Sequence, residues 1–381
     1  MIELTQLNPP DAPVVFETAS AVNGSLIGFA TLNSPKSLNA LNFEMIKLLA
    51  PQLNAWAADS NVAMVILKGA GDKAFCAGGD VVSLHNAMNS GEPANLIEDY
   101  FAHEYRLDHL IHCYDKPILV WGNGIVMGGG LGLMAGASHR VVTENSRIAM
   151  PELTIGLYPD VGGSYFLHKM PEHVGLFLGL TAASINCDDA MYVALADHYL
   201  KADKYDTLIE QLCSIKWGKT ASLNHEKLTS LLTELDNVSG RMPKGNVKAH
   251  LATIQKLGEF TELRDKVNYI LNLETDATWL TRAQKALKHG CPLSCALVER
   301  QLASSKGKSL GECFQMELGM SVRCGEVGEF QEGIRALLID KDGAPNWQFK
   351  TLEQIPDELV ESFFVQRWDH DSHPLKQLTQ G

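Results

Sequence analysis

Short runs rich in valine and isoleucine recur through the first two hundred residues, and after about Tyr205 they nearly vanish. That change of texture limits the fold more than any other feature of the chain. Val14–Thr18, Leu26–Leu32, Val62–Leu67, Ile118–Trp121 and Arg140–Thr143 read as strands, each bounded by Gly, Pro, Asn or Asp. Between them, residues 43–58 carry apolar side chains at helical spacing behind Asn42, a good N-cap. Further helices are expected after Asp80 and over residues 96–114. The recurring order of strand, strand, helix predicts an α/β layered sheet with helices on its outside, without a strict sequence repeat. Beyond Tyr205, residues 208–213, 227–235, 247–257, 280–287, 296–302 and 330–338 read as helices. The expected division is therefore an α/β part over 1–204 and a mainly helical part over 205–381. The polar stretch from Trp368, with His370, His373 and Pro374, is expected to fray.

Composition removes several function classes. The chain is 45% hydrophobic and 20% charged, an ordinary globular balance. Its formal net charge is -13, and no Lys/Arg run supplies the basic face that a nucleic-acid binder needs. The eight cysteines, Cys76, Cys113, Cys187, Cys213, Cys291, Cys295, Cys313 and Cys324, form no C-x-x-C pair. Free thiols in a reducing compartment are expected, with neither a disulfide framework nor a bound metal. The first residues resemble neither a secretion signal nor an Arg-rich transit peptide, so the expected location is cytoplasmic and the sequons at Asn23 and Asn237 are read as chance. No apolar stretch approaches the roughly 20 residues that cross a bilayer, so no membrane partner is expected.

Two glycine-rich segments each follow a strand and open a helix: Phe75-Cys76-Ala77-Gly78-Gly79-Asp80 and Met127-Gly128-Gly129-Gly130-Leu131-Gly132. Glycine there lets backbone approach a ligand, and the helix start leaves N–H groups free to donate. Two such junctions could aim two donors at one oxygen, an oxyanion hole. The plainer reading is a pair of tight turns with no ligand. Neither segment matches a nucleotide-binding fingerprint.

A third segment, residues 149–163, sets Glu152 and Asp160 in an apolar, Gly- and Pro-rich stretch with no Lys or Arg. Partial burial would raise the pKa values of both, which suits acid/base work. Against that stands a local role, Glu152 as a helix-start residue and Asp160 as a helix cap. In residues 96–114, Ile97, Tyr100, Leu107, Ile111 and Tyr114 form an apolar stripe, and Glu104 falls on it. A carboxylate there needs a partner or a job. His109 and His112 share a helix turn without completing a metal set, and Asp108 beside them reads as surface. Ser83 and Ser164 lack a nucleophile elbow, and Cys76 reads as a small buried hydrophobe.

Taken in order, Asn33-Ser-Pro-Lys36-Ser-Leu38-Asn39-Ala40-Leu41-Asn42, Phe75–Asp80, Asn123-Gly124 with Gly128–Gly130, and Pro151-Glu152 with Gly156 resemble the crotonase (enoyl-CoA hydratase/isomerase) superfamily. The resemblance implies a spiral of ββα units followed here by the helical C-terminal region. It implies coenzyme A as the substrate's handle rather than as a separate cofactor, and Gly79 and Gly129 as the oxyanion-hole donors. Lys36, Leu38, Ala40 and Ala77 would lie along the coenzyme A. Hydratases of this superfamily resemble Gly-Gly-Gly-x-Glu at the second junction, whereas this chain has Gly132 there. Asp160 stands where hydratases usually have Gly. Residues 150–163, Glu104-Tyr105 and Phe330–Asp342 are similar instead to 3-hydroxyisobutyryl-CoA hydrolases. In that family the residues matching Glu104, Gly129, Glu152 and Asp160 contact or act on the substrate.

The expectation is a thioester hydrolase for a short 3-hydroxyacyl-CoA in valine breakdown, with Glu152 as nucleophile or general base and Asp160 orienting or protonating. Two alternatives stay open: an enoyl-CoA isomerase or hydratase variant, and a non-catalytic acyl-CoA binder. Members of the superfamily form trimer-based and smaller assemblies, so a homo-oligomer is compatible with the resemblance.

Overall fold

Every residue from Val62 to Leu67 is buried, so this run cannot belong to a sheet with one wet face. The computed structural model describes residues 2–91 and 95–379 and places that run at the middle of a seven-stranded sheet. Numbered along the chain, the strands are β1 (Leu4–Gln6), β2 (Val14–Ser20), β3 (Leu26–Leu32), β4 (Val62–Gly69), β5 (Ala74–Cys76), β6 (Ile118–Gly122), β7 (Ile125–Met127), β8 (His139–Val142), β9 (Arg147–Ala149) and β10 (His198–Tyr199). The large sheet has the order β1-β2-β3-β4-β6-β8-β10, and β5-β7-β9 form a second, small one. β1, β2 and β3 pair antiparallel, and from β3 onward the neighbours are parallel.

The five strands expected from sequence are all present, within two residues at each end. The other five have two or three residues each, too short to show a period. No strand follows β10 among the described residues.

Contacts divide the chain into two units, Met1–Gly79 with Leu107–Ile148 and Ile185–Gly245, and Asp80–Arg106 with Ala149–Ser184 and Asn246–Gly381. They interleave along the sequence, where one boundary near residue 204 was expected. The reason is visible in the core of the first unit. Alternate residues of the central strands, Ile27 and Phe29, Met64 and Ile66, Leu119 and Trp121, share a cluster with Leu208, Leu212, Leu228, Leu232 and Leu235. The helices Tyr205–Ser214 and Ala221–Val238 thus supply part of the sheet's own core. Phe43–Ala58, capped by the Asn42 side chain accepting the Met45 N–H at 2.8 Å, sets Trp56 edge-on to Phe16 in β2.

The second unit is almost entirely helical. Leu310–Val327 begins with a capping box in which Ser309 and Glu312 satisfy each other's backbone N–H groups. The described part of the C-terminal stretch, residues 368–379, does not fray as expected. Arg106 donates to the Pro374 carbonyl at 2.7 Å, Gln315 donates to the Leu375 carbonyl at 3.1 Å, and Leu375 is fully buried. Polar side chains here capture main-chain carbonyls of a segment that composition alone would leave loose.

Leu232→Ala should lower unfolding stability by about 2–4 kcal/mol, while the exposed Glu234→Ala should stay within about 0.5 kcal/mol of wild type. Urea denaturation of both variants checks this; equal stabilities would remove Ala221–Val238 from the sheet's core.

Candidate active site

Within the first unit, β5 and β7 pair in parallel, Ala74 with Ile125 and Cys76 with Val126, so their C-terminal ends lie side by side. Each end runs into one of the glycine junctions. A Cβ at Gly130 would sit 2.3 Å from the Cys76 carbonyl oxygen, so only glycine allows this approach. Gly129 opens the helix Gly129–Ala135, where its N–H has no intrahelical acceptor. Along the first junction runs the segment 36–41. The Ala77 N–H donates to the Leu38 carbonyl at 3.1 Å, the Leu41 N–H donates to the Gly78 carbonyl at 2.8 Å, and Leu41 bridges Gly79. Lys36 is exposed, and Leu38, Ala40 and Ala77 are half-buried. Leu38 and Asn39 both have positive φ, and Asn39 holds that shape by donating to the Ala70 and Ala74 carbonyls, each at 3.0 Å. Lys36, Leu38, Ala40, Ala77, Gly79 and Gly129 therefore belong to one neighbourhood.

The three acidic candidates form another, wholly within the second unit. Glu104 comes from the helix Leu96–His112, Glu152 heads the 3-10 turn Glu152–Ile155, and Asp160 lies on the loop before Gly163–Phe166. Their exposures are 2%, 4% and 4%. Burial pushes all three carboxyls up. The charge of Asp160 raises Glu104 and Glu152 further, and both stand well above the usual carboxylate range. Asp160 is raised less, to about 7, because the Tyr105 hydroxyl and its own backbone N–H favour its charged form. Glu104 Oε1 and Glu152 Oε2 are buried with no hydrogen-bond partner among the described residues. Such groups cost folding energy and call for a functional explanation.

The loop carrying Asp160 is clamped on both sides. Tyr105 donates to Asp160 Oδ2 at 2.8 Å. Gln301 donates to the Pro159 carbonyl at 2.6 Å and to Ser164 Oγ at 2.8 Å. The Glu317 carboxylate accepts the Gly162 and Ser164 N–H groups, each at 2.8 Å. The cap of the short helix is Gly162, without a side-chain bond, so the Asp160 side chain is not its cap. Asp108 also departs from expectation: it is 2% exposed and no part of a surface patch, because the buried face of its helix is wider than a single stripe.

With two glycine-bearing strand ends paired in parallel and three acids buried together, residues 27–364 match the enoyl-CoA hydratase/isomerase family. The chain belongs to that family. It is 37% identical over 347 residues to the mitochondrial 3-hydroxyisobutyryl-CoA hydrolase of Xenopus tropicalis, covering 90% of this chain and 88% of that protein. It is 36% identical over 356 residues to 3-hydroxyisobutyryl-CoA hydrolase 1 of Arabidopsis thaliana, covering 91% of each. Among solved structures, an enoyl-CoA hydratase from Rhodobacter sphaeroides superposes with a TM-score of 0.81 at 31% identity, over 93% of this chain and 98% of that one. A carnitinyl-CoA dehydratase from Mycobacterium thermoresistibile gives 0.79 at 30% identity, over 93% and 96%. The expected crotonase-type α/β fold with a helical C-terminal region is thus the fold of this chain. Several animal relatives are named as mitochondrial proteins, so the cytoplasmic expectation draws no support from them. Among the described residues no helix is long and apolar enough to cross a membrane, and no group of three or more His, Cys, Asp or Glu is placed to hold a metal ion.

Glu317, Ser321 and Gln301 were not anticipated from sequence. The signal was available: Ser309-x-x-Glu312 marks a helix start, and Glu317, Ser321 and Cys324 then recur at four- and three-residue steps beside Phe314, Leu318 and Met320. The same reasoning that singled out Glu104 would have singled out Glu317.

These acids bind protons more tightly in the folded chain, Asp160 at about 7 against 3.8 and Glu317 at about 8 against 4.5, both raised first by burial. A raised folded pKa contributes stability that is present below the unfolded value and lost as pH rises through the folded one. Asp160→Asn and Glu317→Gln should therefore gain on wild type between pH 5 and pH 8, by on the order of 2 kcal/mol each. Denaturant titrations at the two pH values check this; a constant difference would mean that these carboxyls are solvated.

Proposed function

We propose that this protein hydrolyses 3-hydroxyisobutyryl-CoA to the free hydroxy acid and coenzyme A, a step of valine breakdown. One observation carries the reading: Glu152 and Asp160 are buried together with Glu104, while the position that carries the second hydratase carboxylate is Gly132, inside a buried helix. A chain that keeps one hydratase acid, lacks the other and adds a third has the groups for attack on a thioester carbonyl rather than for water addition across a double bond. The names of the animal and plant relatives point the same way.

In this reading coenzyme A is the handle of the substrate, and the reaction uses no further cofactor. The N–H groups of Gly79 and Gly129 would hold the thioester oxygen as it gains charge. Glu152 would attack the carbonyl carbon, expelling coenzyme A thiolate and leaving a mixed anhydride that water cleaves, or it would take a proton from water that attacks directly. Asp160 would protonate the departing thiolate or orient the substrate hydroxyl, with Glu104 at the same substrate. Lys36, Leu38, Ala40 and Ala77 would line the coenzyme A.

A second reading has specific support, since the two superposable structures are named for hydration and dehydration. Thiol release from a panel of acyl-CoAs separates the two. Fast release confined to 3-hydroxyisobutyryl-CoA and 3-hydroxypropionyl-CoA is expected, and Glu152→Gln and Asp160→Asn should each cost about 10²-fold or more in kcat. Turnover of an enoyl-CoA without thiol release would replace the hydrolase by a hydratase or isomerase.

A further inference from the structure

Asp160 is one end of a line of close oxygen–oxygen contacts that runs through the second unit. Asp160 Oδ2 lies 2.8 Å from the Tyr105 hydroxyl, which lies 2.8 Å from Ser321 Oγ. Ser321 Oγ is in turn 2.8 Å from the Tyr158 hydroxyl, and that hydroxyl donates to the Glu317 main-chain carbonyl at 2.6 Å. Tyr105, Tyr158 and Ser321 are all fully buried, so no bulk water corrects the balance of donors and acceptors.

The hydrogens can be counted. The line has four links, and its three hydroxyls bring one hydrogen each. The Glu317 carbonyl only accepts, and an ionised Asp160 only accepts. With Asp160 ionised, Tyr105 points at Asp160 and Tyr158 at the carbonyl. Ser321 can then fill only one of its two links, and the other brings lone pairs together at 2.8 Å. With Asp160 protonated, the acid donates to Tyr105, Tyr105 to Ser321, Ser321 to Tyr158, and Tyr158 to the carbonyl. Every link is then filled in one direction.

We infer that Tyr105, Ser321 and Tyr158 are positioning residues that set the proton on Asp160, through a hydroxyl line that is complete only when Asp160 carries that proton. The line is closed at the Glu317 carbonyl, which cannot pass a proton on, so it stores the state of Asp160 rather than conducting. Other groups face Asp160: Glu104 from its helix, Glu152 from the 3-10 turn, and Glu317 and Cys324 from Leu310–Val327. The carboxyls of Glu104, Glu152 and Glu317 and the Cys324 thiol make none of the four links, so the count does not depend on their protons. The role of this proton in turnover rests on the hydrolase reading; the line itself does not.

The three residues act with opposite signs. Tyr105→Phe removes the donor that stabilises the Asp160 charge, so the titration of Asp160 should move up. Tyr158→Phe and Ser321→Ala each relieve the crowded link of the ionised state and break the filled line of the protonated one, so it should move down, by roughly half to one pH unit. The test follows the carboxylic acid carbonyl band by infrared difference spectroscopy against pH in the full-length protein, assigned to Asp160 by its loss in Asp160→Asn. The pH profile of kcat/KM for thiol release from 3-hydroxyisobutyryl-CoA is recorded beside it. Opposite shifts of Tyr105→Phe and the other two variants establish the line. Shifts of one sign in all three, or no shift in Tyr158→Phe and Ser321→Ala, overturn it. Opposite infrared shifts without any thiol release would leave the line standing and remove the hydrolase reading instead.

Discussion

Withdrawing four carboxyl groups from water, with acids as their neighbours, is the condition on which the second unit is built. The influences on Glu104, Glu152 and Asp160 are burial, one another and hydrogen bonds, with no lysine or arginine among them. Glu317 is treated differently. Its two oxygens receive the N–H groups of Gly162 and Ser164, so its desolvation is offset by bonds that also fix the loop. Glu317 and the pair Glu104 and Glu152 thus lie in the same unit and differ in whether the fold satisfies both oxygens. Glu104 Oε1 and Glu152 Oε2 are left for something else to satisfy.

Such a cluster demands rigid support, since carboxyls that could swing into water would do so. Gln301 and Glu317 hold the loop from the helices Pro292–Ser304 and Leu310–Val327, and Val161 and Gly162 turn the chain through positive φ between the two grips. The first unit meets an equivalent demand mostly with backbone, helped by one side-chain amide. Its junctions are fixed by the β5–β7 pairing, by the approach that Gly130 permits, and by the buried Asn39 amide. Buried side chains grip the acidic loop in one unit, and mainly strand pairing fixes the junctions in the other.

That difference explains what could be read from sequence. Glycine junctions after strands announce themselves because few residue types tolerate the geometry, and the long strands and the helix Phe43–Ala58 show clear periods. Glu104 was legible because it interrupts an apolar stripe. Asp108, on the same helix, was not, because a wide buried face blurs the stripe. The interleaving of the two units was hidden as well. Leu228, Leu232 and Leu235 declare an amphipathic helix but not which core receives it. The hydroxyl line is the least legible feature, since Tyr105, Tyr158 and Ser321 are separated by 53 and 163 residues and no local pattern links them.

The coupling between the acids constrains any mechanism that uses them. Of Glu104, Glu152 and Asp160, only Asp160 has a hydroxyl donor on its carboxylate among the described residues, and its charge raises the other two. While Asp160 is ionised, the ionisation of Glu152 is opposed by a like charge in a site of low polarisability. In the hydrolysis proposed above, Glu152 would therefore give up its proton most readily with Asp160 protonated. In that state Asp160 would also have a proton to give to a departing thiolate. One proton held on Asp160 would thus serve both halves of the proposed thioester cleavage, easing the charge on Glu152 at the start and leaving with the thiol at the end.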